Sequence, residues 1–339
     1  GARRSALDDR RGSEPARQAL ALSAGVMPNR LILDTDGGVD DAQALLLLIA
    51  NGRAPDAITT VFGNVDLEAA TRNVLATLAV IGADIPVHMG AAEPLVQEII
   101  HAKHVHGEDG LGGAPRPGET GDAASSDGVD FLVATFNEAA AAGEQIDLLT
   151  IGPLTNLALA LEQAPGIVDG VGQLTVMGGT VYGRGNVTPA AEFNIFADAE
   201  AAAIVFRAAL DTVVVPWEPC VAHFIAGDDI DRLFDAVAEG LAKDFSWALV
   251  QHARKTDIAR GDGDRFRFID PLAAAVVIDP RIVTRSLRAC VDVALAPGIT
   301  RGMTVVDPSG RLGTPIVTLV EEARLDRLAA FYAASIAYR

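Results

Sequence analysis

Cysteine is nearly missing: the 339 residues hold two, Cys220 and Cys290. Two thiols cannot build a disulfide framework, and that usage leads us to expect a reducing, cytoplasmic compartment. Positive charge is also scarce. Lys and Arg total 27 against 45 Asp and Glu, a formal net charge of −18. That balance argues against nucleic-acid partners, which need a basic face, and leaves a small neutral ligand open. No run reaches 18 purely apolar residues, so no membrane span is expected. Internal repeats and inter-domain linkers are missing too. What the chain does have is 50% hydrophobic residues, ample for a large core.

Residues 1–27 differ from the rest. They are rich in Arg, Ala and Ser and lack a clean apolar stretch. We read them as an N-terminal extension (a leader, a tag remnant or upstream sequence) without fixed structure. Met27, just before the first strand, would be the natural start. The catalytic domain is expected over 28–339.

From there, short β-branched runs alternate with Ala-rich amphipathic stretches. Strands are expected at 31–35, 57–63, 86–90, 146–152, 173–179 and 211–216. Helices are expected at 40–52, 67–82, 131–143, 154–164, 198–209 and 243–255. Strands around 284–295, 303–307 and 314–320 and a closing helix over 324–338 follow. The alternation predicts an α/β fold: a single-domain, open, mostly parallel Rossmann-like sheet with helices on both faces. Segments 101–128, 182–194 and 256–268 are expected to be long loops of the kind that form lids.

The stretch RLILDTDGGVDDAQALLLLIA carries Asp34, Asp36, Asp40 and Asp41 between two apolar runs, with Gly37 and Gly38 to turn the backbone. One such Asp is ordinarily a helix cap. Four are different, because two carboxylates ~5 Å apart at an effective dielectric of ~20 repel by roughly 3 kcal/mol. The group must take up protons or a cation. Oxygen ligands without nearby Cys or His suit Ca²⁺ or Mg²⁺. A strand ending in DxDG also fits a metal-dependent phosphohydrolase of haloacid-dehalogenase type, with Asp34 as nucleophile, Asp36 as acid and GDDID (227–231) as the later acidic motif. HFIA, before GDDID, does not read as a convincing strand.

In an open parallel sheet ligands gather beyond the carboxyl ends of the strands. Those ends deliver Gly63-Asn64, then Ile151 to Asn156, then Met177-Gly178-Gly179 followed by Asn186, Glu192 and Asn194. Asp270 opens a later helix with Pro271 at its first position.

The motifs DTDGGVDD, VFGN, HGEDGLGG, TIGPLTNLALAL, MGG, GNVTPAAEFNIFADAEAA and IDPLAAA occur in an order that resembles the nucleoside hydrolases of the inosine-uridine-preferring type, over about residues 30–280. The resemblance implies calcium-dependent hydrolysis of the N-glycosidic bond of ribonucleosides to free base and ribose. It implies Ca²⁺ on Asp36, Asp41, Asp270 and the Ile151 carbonyl, with Asp36 activating a metal-bound water. Asp40, Asn64, Glu192 and Asn194 would bind ribose hydroxyls, with Asn186 on the 5′ side, Met177 against the sugar and His106 near the 5′-hydroxyl or base. A homodimer or homotetramer is implied as well. No preference between purine and pyrimidine can be read from the motifs.

The chain departs from the family at Ile269, where many members have His and some have Trp to assist the departing base. Trp247, Gln251, His252 and Lys255 are candidates for that side, set against Trp247 as core and the others as solvated. The alternative is a nucleoside- or ribose-binding protein weakened by Ile269. Glu218, Cys220 and His223 receive no catalytic role, and the histidines 101, 104 and 106 are read as a lid with one functional His.

Overall fold

The computed structural model describes residues 28–338 apart from Glu119; the N-terminal extension therefore lies outside the described residues. Eleven strands are described. They are β1 (Arg30–Thr35), β2 (Ala57–Thr60), β3 (Val87–Met89), β4 (Ile146–Thr150), β5 (Val171–Met177), β6 (Asp211–Val215), β7 (Phe224–Ala226), β8 (Arg265–Arg267), β9 (Val283–Val293), β10 (Thr304–Asp307) and β11 (Ile316–Ala323). Nine form one sheet in the order β10-β9-β11-β6-β5-β4-β1-β2-β3. From β11 to β3 every pairing is parallel; β9 is antiparallel to both β10 and β11. The mostly parallel α/β sheet expected from the alternation is what forms.

Period-two alternation sorts side chains onto the two faces. Leu31 and Leu33 of β1, Leu149 of β4, and Val213 and Val215 of β6 join one core with helices Val39–Ala50, Asp270–Ile278 and Leu325–Ile336. Ile32, Leu148 and Val214 point the other way, into a core with helices Gly128–Ala142, Thr155–Gln163 and Ala199–Arg207. Strand order reverses about β1, which pairs with β2 on one side and β4 on the other. The crevice beyond their carboxyl ends is where such a sheet takes its ligands.

Three local expectations change. The strand predicted over 57–63 stops at Thr60, because Val61 and Phe62 turn away to bond Thr35 and Ala91. The loop expected over 256–268 is largely ordered: helix Leu241–Arg260 runs five residues further than predicted, ends at Gly261 (φ +83°), and is followed by β8. HFIA does contribute a strand, since Phe224–Ala226 pairs with β8 in a separate antiparallel ribbon.

Candidate active site

The first helix begins where β1 ends, and its N-terminus carries the acids. Gly38 is tightly enclosed: a Cβ there would lie 2.4 Å from Asn64 Nδ2 and 2.9 Å from Asp41 Oδ2. Asp41 reaches back to accept from the Gly38 amide at 2.9 Å and from the Thr35 hydroxyl. Asp36 accepts from the Asn64 amide at 2.6 Å and side chain at 2.9 Å, while the same Asn64 Nδ2 reaches Asp41 at 3.0 Å. Asn64 thereby ties two buried carboxylates together.

Asp270 arrives from a segment far along the chain, at the start of helix Asp270–Ile278. Among the described residues, Asp40, Asp41 and Asp270 each present a carboxylate oxygen within 4.8 Å of the others, a group able to hold a metal ion. Asp36 stands outside that triplet, one Asn64 bridge away, and Asp40 stands inside it.

Electrostatics follow from the crowding. Burial, then the charges of Asp40, Asp41, Asp36 and Glu192, push the Asp270 carboxyl well above the usual range. Asp36 is raised by burial and Asp41; Asp40 is pushed up to about 6, mainly by burial. No Lys or Arg pairs with these acids among the described residues. Asp40 Oδ1 is buried without a hydrogen bond. An all-oxygen donor set, an unpartnered carboxylate oxygen and uncompensated charge fit a hard divalent cation.

A cavity opens above the acids, lined by Asp40, Asn64, Ile151, Met177, Glu192, Asn194 and Asp270 among others. Glu192 caps helix Phe193–Ala197, accepting from Asn194 at 2.9 Å and Ile195 at 3.2 Å, and it also accepts from Gly179 at 2.9 Å. Burial nonetheless lifts it to about 7. Asn194 Nδ2 donates to the carbonyls of Ile151 and Met177, both at 3.1 Å, joining the ends of β4 and β5. Asn186, also in the wall, accepts from the Phe193 amide at 2.8 Å.

His106 lies in the wall with Nδ1 accepting from the Val39 amide at 3.1 Å. A neutral ring must then carry its proton on Nε2, and burial lowers its pKa to about 4. Its Nδ1 lies 3.5 Å from Asp40 Oδ1; that approach is not a hydrogen bond while the ring is neutral. Of its neighbours, His104 lines the cavity and His101 Nδ1 donates to the Gly63 carbonyl at 2.9 Å.

The base-side candidates separate. His252 lines the cavity, its Nε2 donating to the Val105 carbonyl at 2.8 Å. Trp247, Gln251 and Lys255 lie outside the lining, and Trp247 packs on Phe234 at 4.9 Å in the core. Ile269 does line it. Glu218 anchors the backbone of Val181 and Tyr182, Cys220 is core, and His223 is bonded to the carbonyls of Pro219 and Ala323.

The phosphohydrolase alternative loses its nucleophile. Asp34 stands apart from the acidic group, its Oδ1 held by Thr59 and by Asn156 Nδ2 at 2.7 Å, whereas Asp36, likewise buried and outside the cavity lining, is tied to Asp41 through Asn64. Asp228 and Asp229 of GDDID are exposed, and Asp231 pairs with Arg254.

Sequence reasoning passed over Gln43 and Trp217, which both line the cavity. Gln43 sits in an Ala- and Leu-rich helix that reads as core; Trp217 stands in the PWEPC segment, whose conspicuous polar residues are Glu218 and Cys220.

The family described as inosine-uridine preferring nucleoside hydrolase matches residues 31–329. A non-specific ribonucleoside hydrolase of Klebsiella pneumoniae is 38% identical over 292 residues, covering 86% of this chain and 92% of that protein. A plant nucleoside hydrolase structure superposes with TM-score 0.84 at 31% identity, over 92% of this chain and 100% of the other. A purine-preferring ribonucleoside hydrolase from Gardnerella vaginalis gives 0.81 at 27% identity, over 91% and 98%.

Proposed function

Since this chain belongs to the inosine-uridine preferring nucleoside hydrolase family and is a nucleoside hydrolase, we propose that it cleaves purine and pyrimidine ribonucleosides alike, with one calcium ion at the floor of the cavity. The observation that carries this reading is the meeting of Asp40, Asp41 and Asp270, from segments far apart in the chain, within 4.8 Å. The breadth of substrate follows the non-specific ribonucleoside hydrolase to which the chain is similar.

Asp40, Asp41 and Asp270 would hold the ion, with Asp36 and the Ile151 carbonyl completing the protein's donors. When bound, calcium supplies charge that acidifies water and draws in sugar hydroxyl oxygens. The remaining work belongs to side chains. Asp36, held on both oxygens by Asn64, accepts the proton of the attacking water. Asn64, Asp40, Glu192 and Asn194 bind the ribose hydroxyls, Asn186 lies on the 5′ side, and Met177 packs against the sugar. His106 offers its Nε2–H to the 5′-hydroxyl or base. The same carboxylates stabilise positive charge that grows on the ribosyl ring only as the glycosidic bond breaks.

A panel of ribonucleosides and their 2′-deoxy counterparts, assayed with calcium and with chelator, tests the reading. Inosine and uridine release free base with calcium, at least 10²-fold faster than with chelator and about 10⁴-fold faster than the deoxy forms, whose missing hydroxyl leaves buried acceptors unpaired. Asp36→Asn abolishes release. No base from any ribonucleoside with calcium present defeats the reading.

A further inference from the structure

Gln43 lies one helical turn beyond Asp40, on the same face of the first helix, and lines the same cavity. It is 1% exposed, yet neither Nε2 nor Oε1 of its carboxamide has a hydrogen-bond partner. Buried amides are almost always bonded, so a side chain with both ends free at a cavity wall takes its partners from what fills the cavity, water in the free protein and a ligand when one is bound. The cavity it lines also holds the apolar or aromatic side chains of Val39, Trp217, Phe266 and Ile269. Ile269 has no polar side-chain atom, and the His252 Nε2–H is already given to Val105.

We propose that Gln43 binds the nucleobase, pairing its carboxamide with an adjacent donor and acceptor on the edge of the base. This rests on the nucleoside-hydrolase reading of the site. With the sugar hydroxyls assigned to the acids and asparagines, the flat, polar leaving group is the part of the substrate that needs a donor and an acceptor side by side. A carboxamide matches the N–H/C=O edge of inosine or uridine. Turned over by 180°, it matches the amino/ring-nitrogen edge of adenosine or cytidine. Gln43 therefore favours any base with such an edge without sorting purines from pyrimidines. As the glycosidic bond breaks, electrons flow into the base, and the donated N–H strengthens as that charge appears.

Gln43→Met, nearly isosteric, and Gln43→Leu test the assignment on inosine, uridine and 4-nitrophenyl β-D-ribofuranoside, whose leaving group lacks the paired edge. kcat/KM on inosine and uridine should fall 10- to 100-fold, and at least tenfold less on the nitrophenyl riboside. Thermal midpoints should match or exceed that of the unsubstituted chain, because an unpaired buried amide has been removed. Equal losses on all three substrates, a lowered midpoint in both variants, or unchanged nucleoside turnover overturns the assignment. An unsubstituted chain that hydrolyses nucleosides, beside variants that do so equally well, overturns this inference alone. An unsubstituted chain inactive on every nucleoside overturns the reading beneath it as well.

Discussion

At Gly63 there is no room for a side chain: a Cβ would fall 2.0 Å from Asp36 Oδ2. Gly63→Ala should therefore cost about 1–3 kcal/mol, as overpacking of a dense site does, and lower turnover by displacing Asp36. Gly166→Ala, with nothing within 4 Å of the new Cβ, serves as the comparison and should change unfolding by well under half as much in a denaturant titration. The residues that crowd Asp36 were legible because like charges side by side are costly wherever they fold. Gln43 was not, since a polar residue in the run DDAQALLLLIA shows no partner in sequence, and only the cavity reveals that it has none in space. Asn156 had the look of a helix-start residue; in the structure it bonds Asp34, Thr60 and Ala91, joining the ends of β1 and β2.

Helix Leu241–Arg260 shows what hydrophobic periodicity can and cannot mark. Its middle was expected from pattern; its C-terminal half, running into a hydrophilic stretch, is held by ion pairs to Asp231 and to the segment just after the helix. Arg254 bonds Asp264 at 2.7 Å as well as Asp231, and Arg267 bonds Asp257 at 3.0 Å. None of those partners shares a local period with the helix. The same pairs tie the ribbon of β7 and β8 to it, which is why HFIA became a strand despite its sequence. The helix also brings His252, Thr256, Asp257 and Arg260 to the cavity wall. Arg254→Ala should destabilise the chain by about 1–2 kcal/mol, below the range for a fully buried pair because Asp231 and Asp264 remain partly solvated. Thermal unfolding measures that cost. In steady-state kinetics, KM should rise more than kcat falls, since this helix lines the cavity without carrying the acids at its floor.

Across the whole molecule, the strand order reverses about β1, which brings the ends of β1, β2, β4 and β5 together and lets Asp270, more than two hundred residues from Asp36, complete the acidic group. The alternation of strands and helices made the sheet legible, and the rule for open parallel sheets gave the end at which to look. The antiparallel pairing of β9 with β10 and β11 was not legible, because short β-branched runs carry no direction. The site also sets the pH response. Folding raises Asp40 to about 6 and Asp34 and Glu192 to about 7. A carboxyl raised on folding favours the folded state most when it is protonated, so this contribution is full below about pH 4 and is lost as pH climbs through about 6 to 7. Calcium should restore the Asp40 share by neutralising that charge, and must displace protons to bind at the acid end of that window.

Calorimetric titration of calcium into the chelator-stripped chain at pH 8 and pH 5, beside Asp270→Asn, is the most direct test of the shared-cation site. We predict one equivalent bound at pH 8, weaker binding with proton release at pH 5, and affinity lowered at least a hundredfold in Asp270→Asn. Absence of binding at pH 8, or calcium held as tightly by Asp270→Asn as by the unsubstituted chain, would contradict it.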